Sequence, residues 1–184
     1  MKDLSLHLLD IAENSIRAGA TKVMMSITED VKANWLYFKV QDNGKGMPEA
    51  MRKEVTNPFV TSRTLRKVGM GLPLLAQRCE LCVGDLKIDS QEGKGTIVIA
   101  KMCYNHIDRV PLGDIGSTLM TLMIAYPHIR YIYQHQYDDK IFRLDTLEIQ
   151  GILGEKAMLQ NTQVILWLKE YVNDNIQVLY EKNN

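Results

Sequence analysis

The sequence has no run of about 18 apolar residues, the length that spans a bilayer as a helix, so no membrane span is expected in it. It has no excess of one charge either. Lys+Arg and Asp+Glu both number 22 and the formal net charge is zero. A strong global field for nucleic acid or an anionic membrane is thereby excluded, and neither is expected as a partner. Cysteine is scarce and odd in number, three in all, which suits a reducing compartment better than a disulfide framework. The opening "MKDLSLHLLD" is too polar for a secretory signal, and a cytoplasmic location is expected. There is no internal repeat and no low-complexity tract. No G-x-x-x-x-G-K-[ST] occurs, so nucleotide binding by a P-loop is closed. What remains is ordinary globular composition, 46% hydrophobic and 24% charged over 184 residues, enough for one domain with a sizeable appendage.

The pattern predicts a first helix from an Asp3 N-cap to Ala18, with Gly19 closing it. Leu4, Leu8, Ile11 and Ser15 share one stripe, widened by Leu9, Ala12 and Ile16. Strands are expected near 21–28 and 35–41, then a short helix from Pro48 to about Glu54. Residues 57–70 read as a long, polar, basic loop. A helix follows over "MGLPLLAQRCELC", then strands near 85–89 and 96–101 joined by the turn "QEGKG". After about residue 104 the pattern changes. Helical spacing at Ile115, Leu119, Leu122 and Met123 is followed by a hairpin over "IRYIYQHQYDDKIFRLD", a short helix over about 146–153 and a longer one over about 163–180. The expected division is therefore 1–104 and 105–184, the second part a smaller α+β extension packed on the first or binding a partner. Its apolar stripes are read as core. Tyr131, Tyr133, His135 and Tyr137 alternate on one strand face, either a half-buried hairpin covering the first part or a recognition surface.

The chemistry lies in the first part. "LDIAENSIRAGA" places Asp10 and Asn14 four residues apart, on one helix face. "DNGKGM" ends a strand with an acid and two glycines. "GMGL" opens a helix after the basic loop carrying Arg63, Arg66 and Lys67. Glycines allow close backbone approach, helix N-termini bind phosphate, and an amide oxygen can ligate Mg²⁺. A carboxylate at a strand end can accept from an exocyclic amine. Together these parts make a purine triphosphate site.

In this order the motifs resemble those of the GHKL superfamily, which includes DNA gyrase, the ninety-kilodalton heat-shock chaperones, histidine kinases and MutL. The resemblance covers about residues 3–102 and implies the Bergerat ATP-binding fold, an α/β two-layer sandwich with a mixed sheet. "LLDIAENSIRAGAT" resembles the N box, which would make Asn14 the Mg²⁺ ligand. "DNGKGM" resembles the G1 box, with Asp42 as the adenine-binding carboxylate and Gly44, Gly46 and Met47 around the base. "NPFVTSR" resembles the F box and lid of histidine kinases, with Phe59 packing the lid and Thr61, Ser62, Arg63 and Lys67 on the nucleotide. "VGMGLPLL" resembles the G2 box, placing Gly69, Met70, Gly71 and Leu72 at the phosphates. "EGKGT" resembles the last motif, where Thr96 would assist Asp42.

The departures are informative. Hydrolysing members usually carry Glu four residues before the N-box Asn, as general base. Here the residue is Asp10, one methylene shorter, assigned as the catalytic carboxylate. Met70 and Pro73 depart from the usual G-x-G-L-G-L. No helical hairpin with a phospho-acceptor His precedes the N box in this sequence. His7 lies on the Asp10 and Asn14 face and reads as structural. Cys79-x2-Cys82 and Cys103-x2-His106 have the spacing of a zinc site, with both pairs at one end of a hairpin. The alternative is small apolar helix residues and a strand end, and nothing in the resemblance calls for zinc. His106, Asp108 and Arg109 lie in a polar linker.

The expected function is an ATP-binding, slowly hydrolysing signalling protein that uses Mg²⁺, with the lid as a nucleotide-ordered switch read by an unidentified protein partner. The alternatives are a protein kinase of the anti-sigma type acting in trans and a non-catalytic ATP sensor.

Overall fold

The computed structural model describes residues 2–55, 71–154 and 161–181. Helix α1 spans Leu4–Arg17. The Asp3 carboxylate caps it by accepting from the Leu6 amide at 3.0 Å, and Gly19 leaves it at φ +81°. Its first two amides are satisfied from far along the chain: Leu4 N donates to Pro111 O and Ser5 N to Leu112 O. The linker after residue 104 is thus tied to the first helix, because helix-start amides need outside partners.

Strands β1 (Lys22–Asp30) and β2 (Trp35–Asp42) alternate strictly between buried and more exposed positions, the period of a sheet with one covered face. Helix α2 (Glu49–Val55) follows. Helix α3 (Gly71–Leu81) precedes the hairpin of β3 (Asp85–Gln91) and β4 (Gly95–Cys103). Helix α4 (Ile115–Ala125), strands β5 (Arg130–Tyr137) and β6 (Lys140–Asp145), and helices α5 (Thr146–Leu153) and α6 (Thr162–Tyr180) complete the chain.

The six strands form one sheet in the order β3-β4-β2-β1-β5-β6. All neighbours are antiparallel except β1 and β5, so the sheet is mixed. The register aligns the buried residues. Val40 lies opposite Met25 and Val98, and Phe38 opposite Ile27 and Ala100. Tyr131 and Tyr133 extend the same face beside Val23 and Met25. Against this face pack Leu4, Leu8 and Ile11 of α1, Leu72 and Leu75 of α3, Leu119 and Leu122 of α4, and Leu168, Val172 and Ile176 of α6. The result is a two-layer α/β sandwich.

Two expectations about the second half are revised. Its strands do not lie over the first part as a cover. β5 pairs with β1 along its whole length, so the sheet runs continuously across residue 104. The Tyr131, Tyr133 and His135 side chains are core, essentially without exposure. With Tyr137, partly buried at the strand end, they line the buried face of the β5–β6 hairpin, which extends the sheet rather than covering the first part or presenting a recognition surface. Among the described residues no helix is long and apolar enough to cross a membrane.

Candidate functional site

The covered face of β1 and β2 is apolar except at its two ends. Asp42 stands opposite Val23 at one end, and Glu29 opposite Leu36 at the other. Six residues of strand separate them, about 20 Å at strand rise. Glu29 is enclosed by His135 and Tyr180, whereas Asp42 sits where α1, the β2–α2 loop and the β3–β4 hairpin meet.

Asp42 is 8% exposed and held from three directions. Its Oδ2 accepts from Ser15 Oγ at 2.6 Å. Its Oδ1 accepts from the Gly44 amide at 2.8 Å and the Thr96 amide at 3.3 Å. A carboxylate offers about four lone-pair sites, so this set orients Asp42 and leaves Oδ2 capacity for one more donor. Thr96 Oγ1 pairs with Ser90 Oγ at 2.8 Å, and Ser90 Oγ accepts from the Met47 amide at 2.9 Å. The loop carrying Gly44 and Gly46 is thereby fastened to the hairpin. Gly46 is at φ +67°, and a Cβ there would stand 2.1 Å from Gln91 O. Only glycine fits that combination. Asn43 points away and ties the loop to β1 by accepting from the Thr21 and Lys22 amides.

On α1 the i,i+4 spacing does what helix geometry requires. Asn14 Nδ2 donates to Asp10 Oδ2 at 3.2 Å, and Asn14 Oδ1 accepts from Arg17 at 3.1 Å. Arg17 is itself paired with Glu13 at 2.8 Å. Gly71, the first residue of α3, lies against Asp10: a Cβ built there would be 1.8 Å from Asp10 Oδ2. The acid of the first helix thus meets the start of the third, where free amides concentrate positive potential. Leu72, by contrast, is a core residue, 5% exposed.

Of the residues assigned from sequence, Asn14, Asp10 and Gly71 form one cluster, and Asp42, Gly44, Gly46, Met47 and Thr96 another around the base of α1. Phe59, Thr61, Ser62, Arg63, Arg66, Lys67, Gly69 and Met70 lie outside the described residues. Ser15 and Ser90 were not singled out. Ser15 sits within the apolar stripe of α1, and its only signal was a hydroxyl among hydrophobes one residue after Asn14. Ser90, next to the hairpin turn, carried none.

The topology brings Cys82 and Cys103 side by side, Cys103 N donating to Cys82 O at 2.9 Å. The side chains are otherwise engaged. Cys79 and Cys82 are buried, and burial pushes the Cys79 thiol up to about 12. Cys103 Sγ accepts from Asn34, and His106 Nδ1 accepts from the Asp108 amide. Among the described residues no group of three or more His, Cys, Asp or Glu stands where it could hold a metal ion, so no zinc site is assembled there.

A mixed α/β sandwich with an acid-and-amide first helix, a strand-end carboxylate and glycine loops facing it defines the class of the protein, a nucleotide-type site without a P-loop. Residues 2–105 match the family described as histidine kinase-, DNA gyrase B-, and HSP90-like ATPase. The chain belongs to that family, the GHKL superfamily. It is 30% identical over 89 residues to sporulation kinase C of Bacillus subtilis (strain 168), an alignment covering 48% of this chain and 21% of the kinase. It is 33% identical over 119 residues to the tetrathionate sensor histidine kinase of Salmonella typhimurium (strain LT2), covering 60% of this chain and 19% of that protein. The chain therefore spans about a fifth of these relatives. Among solved structures, the Aquifex aeolicus MutL ATPase domain complexed with ADP aligns over 96% of this chain and 70% of its own, at 14% identity and a TM-score of 0.48.

Proposed function

We propose that this site binds ATP with Mg²⁺ and that the protein hydrolyses it slowly. The observation that carries the reading is Asp42, a carboxylate held by three protein donors at a strand end, with acceptor capacity left for an adenine amine. Guanine presents a carbonyl where adenine has that amine, so the same carboxylate disfavours GTP. The glycine loop beside Asp42 lets the base approach the backbone. Gly71, at the start of α3, faces the phosphates.

The donor set fits Mg²⁺. Asn14 Oδ1 is a hard oxygen with one lone pair beyond its bond from Arg17, and the Asp10 carboxylate lies beside it. Bound there, the cation would offset phosphate charge. The chain's own part is to position. Asn14 would hold the cation, Arg17 and Glu13 steady the Asn14 amide, and Asp10 would orient the attacking water and accept its proton. Asp10 is short for a general base, which accounts for slow turnover. The lid residues and the nucleotide switch belong to this proposal from sequence alone, as do signalling through an unidentified protein partner and a location in the cytoplasm.

A second reading, a protein kinase acting in trans, is supported by the similarity to kinases over 48% and 60% of this chain. A third, the non-catalytic ATP sensor, is supported by the shorter acid at position 10. Incubation with γ-labelled ATP, alone and with cell extract, separates the three. Free phosphate from the pure protein supports hydrolysis, and a labelled acceptor protein supports the kinase. Nucleotide binding with neither product leaves the sensor.

A further inference from the structure

Helix α6 carries two apolar stripes. Leu168, Val172, Ile176 and Leu179 are buried in the core. Val164, Trp167, Tyr171 and Val178 form the second, about a third of a turn round the helix axis. With Asp174 they follow spacings of three, four, three and four, the period of a helix-to-helix seam. Val164 is partly buried at the edge of the core. Beyond it Trp167 is 52% exposed, Tyr171 39% and Val178 54%.

The stripe is on the flank turned away from α4. Asn173, whose Oδ1 accepts from the Gly116 amide of α4 at 2.9 Å, projects from nearly the opposite side of the helix. On the stripe's own side lies β6, the last strand of the sheet. The rings of Trp167 and Tyr171 stack with centroids 5.1 Å apart, and Tyr171 meets Phe142 of β6 edge-on at 5.8 Å. Trp167 and Tyr171 are the most exposed aromatic side chains among the described residues. Single exposed apolar residues are ordinary, but a contiguous patch marks an interaction surface. Trp and Tyr are the residues that anchor such surfaces.

The charges on this flank say what covers it. Asp174 stands in the stripe and Glu170 beside it, both exposed. Neither carboxylate has a hydrogen-bond or ion-pair partner among the described residues. A second copy of the chain would bring the same two carboxylates and no free cation. Lys169 is the one basic residue of α6, and it is paired with Asp114 at 3.4 Å. The complement to this flank is therefore apolar and basic. One charged position within an apolar seam also fixes register and partner choice.

We propose that the outer flank of α6 is a docking surface for a basic amphipathic helix of a partner protein. Its apolar residues pack on Trp167, Tyr171 and Val178, and a Lys or Arg pairs with Asp174. The stripe from Val164 to Val178 is about 21 Å long, so a helix of about four turns covers it. Docked there, the helix continues the helical layer past α6. The assignment stands independently of what the site at Asp42 binds.

The test uses two synthetic helical peptides of about 18 residues, five turns, with leucine at the seam positions and either lysine or glutamate elsewhere. Each is titrated by calorimetry into wild type, a Trp167→Ser/Tyr171→Ser variant and a Glu170→Lys/Asp174→Lys variant. All four side chains are exposed, so thermal melts of the variants should match wild type. Wild type is expected to bind the lysine peptide and not the glutamate peptide. Loss of the two aromatic rings should weaken that binding by about tenfold or more. The variant with both carboxylates replaced by lysine should exchange its preference and take the glutamate peptide. Lysine-peptide binding that survives loss of the rings, unchanged preference after the charge reversal, or no binding of either peptide would overturn the proposal. So would sedimentation showing a wild-type dimer that the Trp167→Ser/Tyr171→Ser variant loses, since a second copy would then cover the stripe.

Discussion

The Asp10 carboxylate and the Gly71 backbone are in contact across two helices, with no room between them for even a methyl group. Asp10 is at once hydrogen-bonded to Asn14 at 3.2 Å. Helix α1 thus fixes the amide, and the start of α3 fixes the acid. The shortness of Asp10 is matched to this approach.

Gly71→Ala is predicted to displace Asp10 rather than unfold the protein. Alanine suits the first turn of a helix, so thermal stability should change little. Hydrolysis should fall by about 10-fold to 100-fold, the effect of a misplacement on the order of 1 Å. A steady-state phosphate-release assay beside a thermal melt checks it. Unchanged turnover would mean that the Asp10 position does not matter to the reaction.

Asp10→Asn is predicted to separate binding from chemistry. The amide keeps the size of the side chain and loses its basicity. Nucleotide affinity should stay within a few-fold, while turnover falls by roughly 10²–10⁴, the usual contribution of a general base. Single-turnover kinetics distinguish this from slow release. A variant as fast as wild type would remove Asp10 from the chemistry.

At the far end of the sheet, Glu29 Oε1 accepts from His135 Nε2 at 2.7 Å and from Tyr180 at 2.5 Å. The Tyr133 hydroxyl reaches His135 Nδ1 at 2.8 Å. With Nε2 donating to Glu29, Nδ1 is left to accept from Tyr133. Burial pushes the Glu29 carboxyl up, but hydrogen bonds from His135 and Tyr180 outweigh it and hold it below its ordinary value. A carboxylate lowered on folding contributes stability that is present above its unfolded value and lost as pH falls through the folded one. Acid should therefore loosen the attachment of α6. Glu29→Gln should flatten the acid limb of the stability curve, and Tyr180→Phe should cost about 1–3 kcal/mol. Denaturant titrations across pH 3–7, roughly the carboxylate range on its approach to neutrality, give both.

The element pattern was legible because most of it is local. The Asp3 cap, the Gly19 exit and the alternation in β1 and β2 are written in adjacent residues, and α1, α5 and α6 fall within a residue or two of expectation. The partner of a strand is not local. A period of two says that "RYIYQHQY" is a strand with one buried face, but nothing in those residues names Lys22–Glu29 as the neighbour. That parallel pairing turned an expected covering hairpin into the fifth strand of the core. The site divides in the same way. Asp10, Asn14 and Asp42 stand in recognisable motifs. Ser15 and Ser90 matter only through partners far along the chain, Asp42 for one and the Met47 amide for the other.

The central claim is that Asp42 reads adenine. Calorimetric titration of ATP–Mg²⁺ into wild type and Asp42→Asn tests it most directly. An asparagine would turn an N–H₂ toward either the adenine amine or the donors Ser15, Gly44 and Thr96, so affinity should fall by about 1.5–3 kcal/mol, and GTP should bind poorly to wild type. Saturable ATP binding that collapses in Asp42→Asn is the predicted result. Equal affinity in the two proteins, or no binding by wild type, would contradict it.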